Sequence, residues 1–272
     1  MRQIKSRAFI LEKDAQNRDE GRLFLLSEDF GFMWLTAAGL FRPGAKLAIS
    51  TEPPILVLAE ILPTEDFRGG RLTTVTVEKY LEQFKNSYRN RIWFSFFVYL
   101  LKNFTGESDA QKYFPLLEEV TFSAEDWSKN HERSNLAIIY FIIKLLHGEG
   151  VLPELKDCLG CDSVFSEKES SFYPLGESGL FCSDCFRKIN AELVSRGNFS
   201  FEYLSLTPLT EEIPHPERDF RVNSEVRNLI SEVRKSSDLK TAYAKIFLSS
   251  KINGQLILQS RNFLLYFLAS LI

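Results

Sequence analysis

The sequence predicts an α+β protein in which a small N-terminal β-barrel is followed by a helical bundle that carries an inserted four-cysteine zinc-finger module. Three observations predict this order. The first 77 residues hold short β-type runs between turn signals, the residues after them change to a helical period, and all four cysteines fall in two Cys-x-x-Cys pairs. With 272 residues and 44% hydrophobic side chains, the chain can bury the core of one large or two ordinary domains.

Residues 1–77 are predicted to form the barrel. Short runs rich in Val, Ile, Leu, Thr and aromatic residues alternate there with Asp-Phe-Gly, Arg-Pro-Gly and similar sequences that favour turns. The predicted strands are residues 3–13, 21–27, 32–38, 45–50, 55–61 and 72–77. Five or six strands in about 75 residues suit a small barrel, and an oligonucleotide-binding (OB) type barrel is the leading candidate. The pattern alone does not separate it from other small barrels.

Residues 78–272 are predicted to form the helical domain, because apolar residues there recur every three or four positions. Ser123 and Asp126 have the spacing of a capping box, which predicts a helix start. Residues 135–147 are apolar on almost all sides, which places that helix at the centre of the bundle. The segment 205–220 carries three prolines and is predicted to be a surface excursion. The predicted helices are residues 80–104, 135–147, 186–196, 222–235, 239–249 and 262–272.

The zinc module is predicted for residues 158–185. Cys158 and Cys161 form one Cys-x-x-Cys turn, and Cys182 and Cys185 form the other. Two such turns supply the four tetrahedral thiolates of one structural Zn²⁺, and with all four positions filled no site remains for a catalytic water. A dithiol redox pair is the alternative, but one Cys-x-x-Cys would suffice for it and neither pair opens a helix in a βαβ unit.

The chain is expected to be a cytoplasmic protein without a membrane partner. Its longest apolar runs, Leu136 to Ile143 and Phe263 to Leu268, are far shorter than the 18 or more residues that span a bilayer. The basic N-terminus is followed by an alternating strand rather than by the apolar core of a signal peptide. A net charge of −3 does not decide for or against nucleic acid, since binding depends on where the cations cluster.

The sequence contains no recognisable active site, which predicts that the protein is not an enzyme and has no small-molecule substrate. The segment from Gly39 to Lys46 is close to a P-loop, but its Lys is one position late and no Ser or Thr follows it. The three histidines are scattered, without the spacing of a metal or catalytic motif. The carboxylates are dispersed through charged segments that are typical of solvated surface.

Cations and aromatic residues interleave in the predicted barrel, a combination with which such barrels bind single strands. The candidate DNA-binding residues are Arg2, Lys5, Arg7, Arg18, Arg22, Trp34, Phe41, Arg42 and Lys46. The alternative is that the aromatic residues fill the barrel and the arginines form an ordinary solvated face. A second basic cluster on the first predicted helix either extends this surface or faces a partner. It contains Lys79, Lys85, Arg89, Arg91 and Lys102.

Two further segments carry a resemblance to a known family. Residues 141–161 read Phe-Ile-Ile-Lys-Leu-Leu-His-Gly-Glu-Gly-Val-Leu-Pro-Glu-Leu-Lys-Asp-Cys-Leu-Gly-Cys, and Leu258-Gln-Ser-Arg261 is followed by Phe263 and Leu264. With the order of barrel, bundle, cysteine module and closing helix, these segments resemble the RecO family of bacterial recombination mediators over the whole chain. The sequence departs from the family at Ala38-Gly39-Leu40-Phe41-Arg42, where the family usually shows Lys-Gly-Ala-Arg.

The resemblance implies a non-enzymatic DNA repair function. Such a protein binds single- and double-stranded DNA, promotes strand annealing and, with RecR, helps to load RecA onto strands coated by single-stranded DNA-binding protein (SSB), in the cytoplasm and in association with the nucleoid. The acidic SSB C-terminal tail would suit a groove beside the apolar helices, with Arg133 and Lys144 as its cations. The alternative function is a zinc-stabilised protein-interaction scaffold with little DNA affinity, and a dithiol oxidoreductase comes third.

Overall fold

The computed structural model describes residues 2–15, 20–42, 44–106, 109–124, 130–166, 169, 171–173, 179–188, 221–222, 224–248 and 254–271. The chain divides into two compact units, Met1–Ser128 and Lys129–Ile272. The predicted change from barrel to helices after residue 77 lies near the end of the last barrel strand, whereas the compact units divide after residue 128. The boundary between independently folding domains therefore stays a prediction.

The first unit contains a closed barrel of five strands in the order β1-β2-β3-β5-β4. The strands are β1 (Ile4–Ala15), β2 (Glu20–Ser27), β3 (Gly31–Ala38), β4 (Ile55–Pro63) and β5 (Gly69–Tyr80). Neighbouring strands are antiparallel except β3 and β5, which run parallel from Trp34 opposite Gly69. A five-stranded barrel closed in this way is consistent with the predicted OB type.

The segment 45–50, predicted as a strand, is instead the short helix α1 (Lys46–Ser50) between β3 and β4. The hydroxyl of Thr51 donates to the carbonyl of Leu47 at 2.6 Å and helps to end this helix. The Leu47 side chain packs against the barrel core. Alternation over the six residues 45–50 predicts a strand, and the contact of Leu47 with the barrel core is not visible in that pattern.

Alternation along the strands sends one set of side chains inside the barrel and the other set outside. The inner set includes Ala8, Leu23, Leu25, Met33 and Leu35, each fully or almost fully buried. The neighbours Phe9, Phe24 and Phe32 therefore point outwards, yet they are also buried. These aromatic residues are core between the barrel wall and the helices outside it, rather than barrel filling.

Helices of the first unit cover part of the outer barrel wall. They are α2 (Glu82–Lys85), α3 (Tyr88–Phe104), a 3-10 turn (Ala110–Tyr113) and α4 (Phe114–Ser123). Phe114 of α4 packs on Phe9 of β1 with ring centroids 5.1 Å apart. Lys102 of α3 pairs with Glu12 of β1 at 2.6 Å. The predicted helix over 80–104 is thus divided, because β5 continues to Tyr80 and Ser87 caps α3 by accepting from the Asn90 N–H.

The second unit is helical. It contains α5 (His131–Gly148), a helical segment α6 at residues 183–188, α7 (Ser224–Lys235), α8 (Leu239–Leu248) and α9 (Gly254–Leu271). A two-residue ladder joins β6 (Ser171–Phe172) to β7 (Arg221–Val222). The apolar residues of α5 from Leu136 to Ile143 are at most 2% exposed, and α5 contacts α7, α8 and α9. The predicted central position of this helix is confirmed.

Several predicted helix ends differ from the structure. The closing helix, predicted from residue 262, begins eight residues earlier at Gly254. Ser123 ends α4 instead of starting a helix, and its hydroxyl donates to the Val120 carbonyl. The Asn130 side chain caps the next helix by accepting from the N–H groups of Glu132 and Arg133. Asp126 and the segment 205–220 lie outside the described residues. Across the described part of the chain, no helix combines the length and the apolar character that a membrane span requires.

Candidate metal centre and nucleic-acid interface

The four cysteines meet at one place in the second unit. Their sulfur atoms all lie within 4.8 Å of one another, and the Sγ atoms of Cys161 and Cys182 are 3.9 Å apart. Zinc–sulfur bonds of about 2.3 Å in a tetrahedron place sulfur atoms roughly 3.8 Å apart. The spacing is too long for a disulfide and close to that of four thiolates around one metal ion. The cluster is therefore compatible with a metal site.

The first cysteine turn is held by backbone hydrogen bonds. The Cys158 N–H donates to the Ser163 carbonyl at 2.9 Å, and the Asp162 N–H donates to the Cys158 carbonyl at 2.8 Å. Asp162 adopts a φ of 55°, a left-handed conformation that Asp tolerates better than most residues. This turn exposes Cys161 and buries Cys158.

The second cysteine turn is joined directly to the first. The Leu159 N–H donates to the Leu180 carbonyl at 2.8 Å, and the Cys182 N–H donates to the Cys158 Sγ at 3.2 Å. A Cβ atom on Gly160 would lie 3.1 Å from the Cys185 Sγ, so a glycine allows the two turns to approach closely. These contacts bring sulfur atoms together that are more than twenty residues apart in sequence.

The thiols of the cluster differ in acidity. Hydrogen bonds from the Ser163 hydroxyl and backbone N–H stabilise the Cys161 thiolate and lower its pKa to about 6. The pKa of Cys185 is raised to about 12, because its thiol is hydrogen-bonded to Cys182 and Cys161 and is partly desolvated. Four sulfur atoms this close do not all ionise by themselves near neutral pH. A bound dication supplies the positive charge that stabilises four thiolates together.

A buried arginine joins the cysteine module to α7. Arg227 is 6% exposed, and its guanidinium donates to the Ser171 hydroxyl at 2.7 Å and to the carbonyls of Ser166 at 3.1 Å and Glu169 at 3.0 Å. It also lies 4.8 Å from the centre of the Phe165 ring. Burial lowers the pKa of Arg227. The guanidinium of Arg227 is thus hydrogen-bonded to three residues of the segment that follows the first cysteine turn.

Two of the predicted DNA-binding residues come together on the outer wall of the barrel. The Arg22 guanidinium lies 5.4 Å from the centre of the Trp34 ring, and Trp34 is 39% exposed. The Phe24 ring packs against the Trp34 ring with their centroids 4.9 Å apart, and the Lys102 ammonium lies 4.4 Å from the centre of the Phe24 ring. We call Arg22, Phe24, Trp34 and Lys102 the Trp34 cluster. It joins an exposed aromatic face to cations.

The sequence places Phe24 among the aromatic residues that interleave with the barrel cations, and Lys102 in the basic cluster of the first predicted helix, but it does not show that both meet at Trp34. Phe24 could have been found from the β2–β3 register, in which it pairs with Trp34. For Lys102, no local signal in the sequence indicates that α3 brings it to β2. The contact depends on how the helix packs against the barrel wall.

The cations of β1 are already paired with acidic residues. The Lys5 ammonium lies 2.6 Å from a Glu60 carboxylate oxygen. The Arg7 guanidinium pairs with Glu78 at 2.9 Å, with Glu28 at 3.3 Å and with Glu118. Hydrogen bonds to Glu118 and Glu78 raise the pKa of Arg7. Contacts of Lys5 and Arg7 with DNA stay a prediction, and they would require exchange of these carboxylates for phosphate.

Phe41 and Arg42 follow β3, and both are exposed. The Phe41 ring lies against Gly21, where a Cβ atom would come within 2.5 Å of it, and the Lys13 ammonium lies 5.1 Å from the ring centre. Gly21 and Arg22 are neighbours on β2 and face opposite sides of the sheet. Phe41 therefore lies on the other side of this strand from Trp34.

Of the remaining predicted DNA-binding residues, Arg2 is exposed before β1. Arg18 and the Lys46 side chain lie outside the described part of the chain.

The two predicted partner-binding cations lie on α5. Arg133 is exposed in the first turn of the helix, and its carbonyl accepts from the Tyr243 hydroxyl at 2.9 Å. The Lys144 ammonium donates to the carbonyls of Arg234, at 3.1 Å, and Ser236. Lys144 thus satisfies backbone carbonyls at the C-terminus of α7. The two residues are eleven positions apart, or about 16 Å along the helix.

Comparison with known proteins shows the family to which the chain belongs. Residues 86–230 match the family model described as Recombination protein O C terminal, a span of more than half the chain. The chain belongs to the RecO family. The predicted membership is thereby confirmed, and the match includes α3, α4, α5, all four cysteines and Arg227.

Two curated RecO relatives show the extent of the similarity. The DNA repair protein RecO of Dehalococcoides mccartyi is 26% identical over 186 residues, which cover 67% of this chain and 70% of that protein. The DNA repair protein RecO of Oceanobacillus iheyensis is 24% identical over 162 residues, which cover 59% of each chain. The chain is thus a RecO-family DNA repair protein.

Proposed function

We propose that this chain is a non-enzymatic recombination mediator that binds single- and double-stranded DNA and promotes strand annealing. With RecR, it helps to load RecA onto SSB-coated single strands in the cytoplasm, in association with the nucleoid. RecO-family membership supports the role in DNA repair. The observation that carries the DNA-binding part is the Trp34 cluster, in which Arg22 lies against an exposed indole ring on the outer barrel wall.

The Trp34 cluster fits the chemistry of single-strand recognition. An exposed aromatic ring stacks on any base, since every base has a π-face, and neighbouring cations contact the backbone without reading sequence. The rings of Phe24 and Phe32 stack with their centroids 5.0 Å apart, and Phe24 in turn packs against the Trp34 ring. These contacts fix the position of the indole. Binding through this surface would be tolerant of sequence and sensitive to salt.

Substitution of Trp34 and Arg22 tests this proposal. Trp34→Ala is expected to weaken binding to single strands of every sequence by roughly tenfold, because one stacked base contributes about 1 to 3 kcal/mol. The slope of log K against log salt should not change. Arg22→Gln is expected to make that slope shallower by about 0.7, since one phosphate contact is lost. Fluorescence anisotropy with labelled oligonucleotides at several salt concentrations measures both effects.

The matched control for charge is Lys240→Gln, an exposed position on α8. It should bind DNA as the parent does. Parent-like affinity and slope in both Trp34→Ala and Arg22→Gln would show that the outer wall of the barrel is not the DNA-binding surface.

One structural Zn²⁺ is the proposed occupant of the cysteine cluster. Four thiolates at near-tetrahedral spacing are the donor set of structural zinc sites, and a site whose four positions are all sulfur has no place for a reacting water. The metal would stabilise two short turns that are built mostly from backbone hydrogen bonds.

The SSB tail is proposed to bind the second unit with Arg133 as a cation for its carboxylates. Lys144 would contribute less, because its ammonium already donates to two backbone carbonyls. The apolar side chains of α5 are buried, so the apolar end of the tail would need a different neighbouring surface. Sites for RecR and, through it, for RecA loading belong to this proposal by family membership.

The second candidate function is a zinc-stabilised interaction scaffold with little DNA affinity. The pairing of Lys5 and Arg7 with four carboxylates favours it, since these β1 cations are neutralised within the protein. The net charge of −3 agrees with that alternative. A DNA-binding isotherm separates the two candidates.

A further inference from the structure

The most exposed aromatic side chains of the described chain lie together in sequence, away from the Trp34 cluster. Tyr88, the first residue of α3, is 69% exposed, and Tyr80, the last residue of β5, is 46% exposed. Burial of a tyrosine ring stabilises a folded protein. Two rings this exposed within nine residues are therefore candidates for contact with a ligand. Neither ring belongs to the buried layer that joins the helices to the barrel wall.

Cations lie close to these two rings in sequence, and one of them contacts the Tyr80 ring. The Lys85 ammonium lies 5.3 Å from the centre of the Tyr80 ring. The Arg91 guanidinium donates to the Lys85 carbonyl at 3.1 Å, which joins the end of α2 to the first turn of α3, the turn that begins with Tyr88. We call Tyr80, Lys85, Tyr88 and Arg91 the β5–α3 patch.

The charge of this segment opposes that of the whole protein. Residues 79–92 contain four cations and a single carboxylate, Glu82, in a chain whose net charge is −3. The adjacent carboxylate of Glu78 pairs with Arg7 at 2.9 Å, so its negative charge is largely compensated. A local excess of positive charge beside open aromatic rings suits an anionic polymer that has exposed bases.

We propose that the β5–α3 patch is a second binding surface for single-stranded nucleic acid, with bases on Tyr80 and Tyr88 and phosphates at Lys85 and Arg91. Duplex DNA fits this patch less well, because its bases are stacked on each other and offer no free face to a tyrosine ring. This inference rests on the proposed DNA-binding function and adds a second surface to it.

The two surfaces are separated by the length of one strand. Trp34 lies opposite Gly69 at the start of β5, whereas Tyr80 is the last residue of the same 12-residue strand. At about 3.3 Å per residue the path along β5 is roughly 35 Å, and the curvature of the barrel makes the direct distance shorter. A strand of about four nucleotides, the shortest site size of such barrels, is too short to cover both surfaces, so one chain could hold two such strands at once.

The experiment counts the short strands bound by each full-length chain. A labelled oligothymidine of about four nucleotides is titrated to saturation into the parent, into Tyr80→Leu/Tyr88→Leu, into Lys85→Gln/Arg91→Gln and into Arg22→Gln/Trp34→Ala. Leucine keeps apolar bulk but removes the π-face. The parent is expected to bind two oligonucleotides per chain, and each double variant is expected to bind one. Lys240→Gln, an exposed charge on α8, serves as the control and should bind two.

The outcomes separate this inference from the proposed function. If both patch variants keep the stoichiometry and affinity of the parent, the patch does not bind nucleic acid and the inference is wrong. If the patch variants lose binding while Arg22→Gln/Trp34→Ala does not, the inference stands and the assignment of the Trp34 cluster falls. A parent that binds no oligonucleotide at low salt overturns both. Circular dichroism of each variant checks that the unit remains folded.

Discussion

Removal of zinc is expected to unfold the segment 158–185 while the barrel of the first unit remains folded. The cysteine turns are held by backbone hydrogen bonds around the sulfur cluster, and structural zinc contributes an apparent free energy of about 10 to 16 kcal/mol in zinc-finger peptides. The barrel has its own core of inward-facing aliphatic residues, which does not depend on the metal. Hydrogen exchange before and after chelation should show loss of protection in 158–185 and unchanged protection in β1–β5.

Cys158→Ser tests the ligand set by the same measurement. Cys158 is fully buried, and its Sγ also accepts the Cys182 N–H, so its loss removes one ligand and one contact between the turns. Zinc content, measured by elemental analysis, is expected to fall from one ion per chain to almost none. Unchanged zinc content in this variant would show that the four-cysteine assignment is incorrect.

A pair of glycine substitutions gives a milder test of the same site. A Cβ atom on Gly160 would lie 3.0 Å from the Cys185 Cβ and 3.1 Å from its Sγ, so Gly160→Ala should weaken zinc binding. A Cβ atom on Gly179 would make its closest contact, 3.5 Å, with Leu159, which is ordinary packing. Gly179→Ala is therefore the matched control, and competition with a zinc chelator should distinguish the two variants.

Arg227→Met is expected to destabilise the second unit by roughly 3 kcal/mol. The substitution keeps much of the apolar stem but removes three hydrogen bonds, and buried acceptors without a donor each cost about 1 to 3 kcal/mol. It also removes the guanidinium from the Phe165 ring. The midpoint of urea-induced zinc release should move to lower urea, because Arg227 holds the segment after the first cysteine turn.

Arg234→Met on the same helix is the control for this prediction. Arg234 is partly exposed and pairs with Glu154 at 3.8 Å, an ion pair that contributes at most about 1 kcal/mol. The two variants lose the same charge, so a difference between them reports burial and hydrogen bonding. Equal midpoints for Arg227→Met and Arg234→Met would contradict the proposed role of Arg227.

The metal cluster and the barrel were predictable because their signals are local. Two Cys-x-x-Cys pairs specify a ligand set regardless of the surrounding fold, and alternation along β2 and β3 specifies which side chains face inwards. The alternation did not show that Phe24 and Phe32, which face outwards, are also buried. Their burial depends on helices that follow them by tens of residues, so their role as a second core layer required the structure.

The ion pairs of the first unit could not be predicted from the sequence either. Arg7 meets Glu118, which is 111 residues further along the chain, and Lys102 meets Glu12, which precedes it by 90 residues. A list of cations therefore overstates the number available for phosphate. For Arg227 the sequence underestimates the importance of a cation. An arginine on an amphipathic helix is expected to be solvated, but the structure buries Arg227 against the cysteine module.

Direct binding of DNA by this RecO-family chain is proposed, and the other functional proposals depend on it. The measurement that tests it most directly is the isotherm of the full-length protein with an unstructured single strand at two salt concentrations. Neutralisation of about four phosphates predicts a slope of log K against log salt near −3, so affinity should fall by roughly 60-fold between 50 and 200 mM salt. The absence of measurable binding at the lower concentration, with zinc bound and the protein folded, would contradict the claim and favour the interaction scaffold.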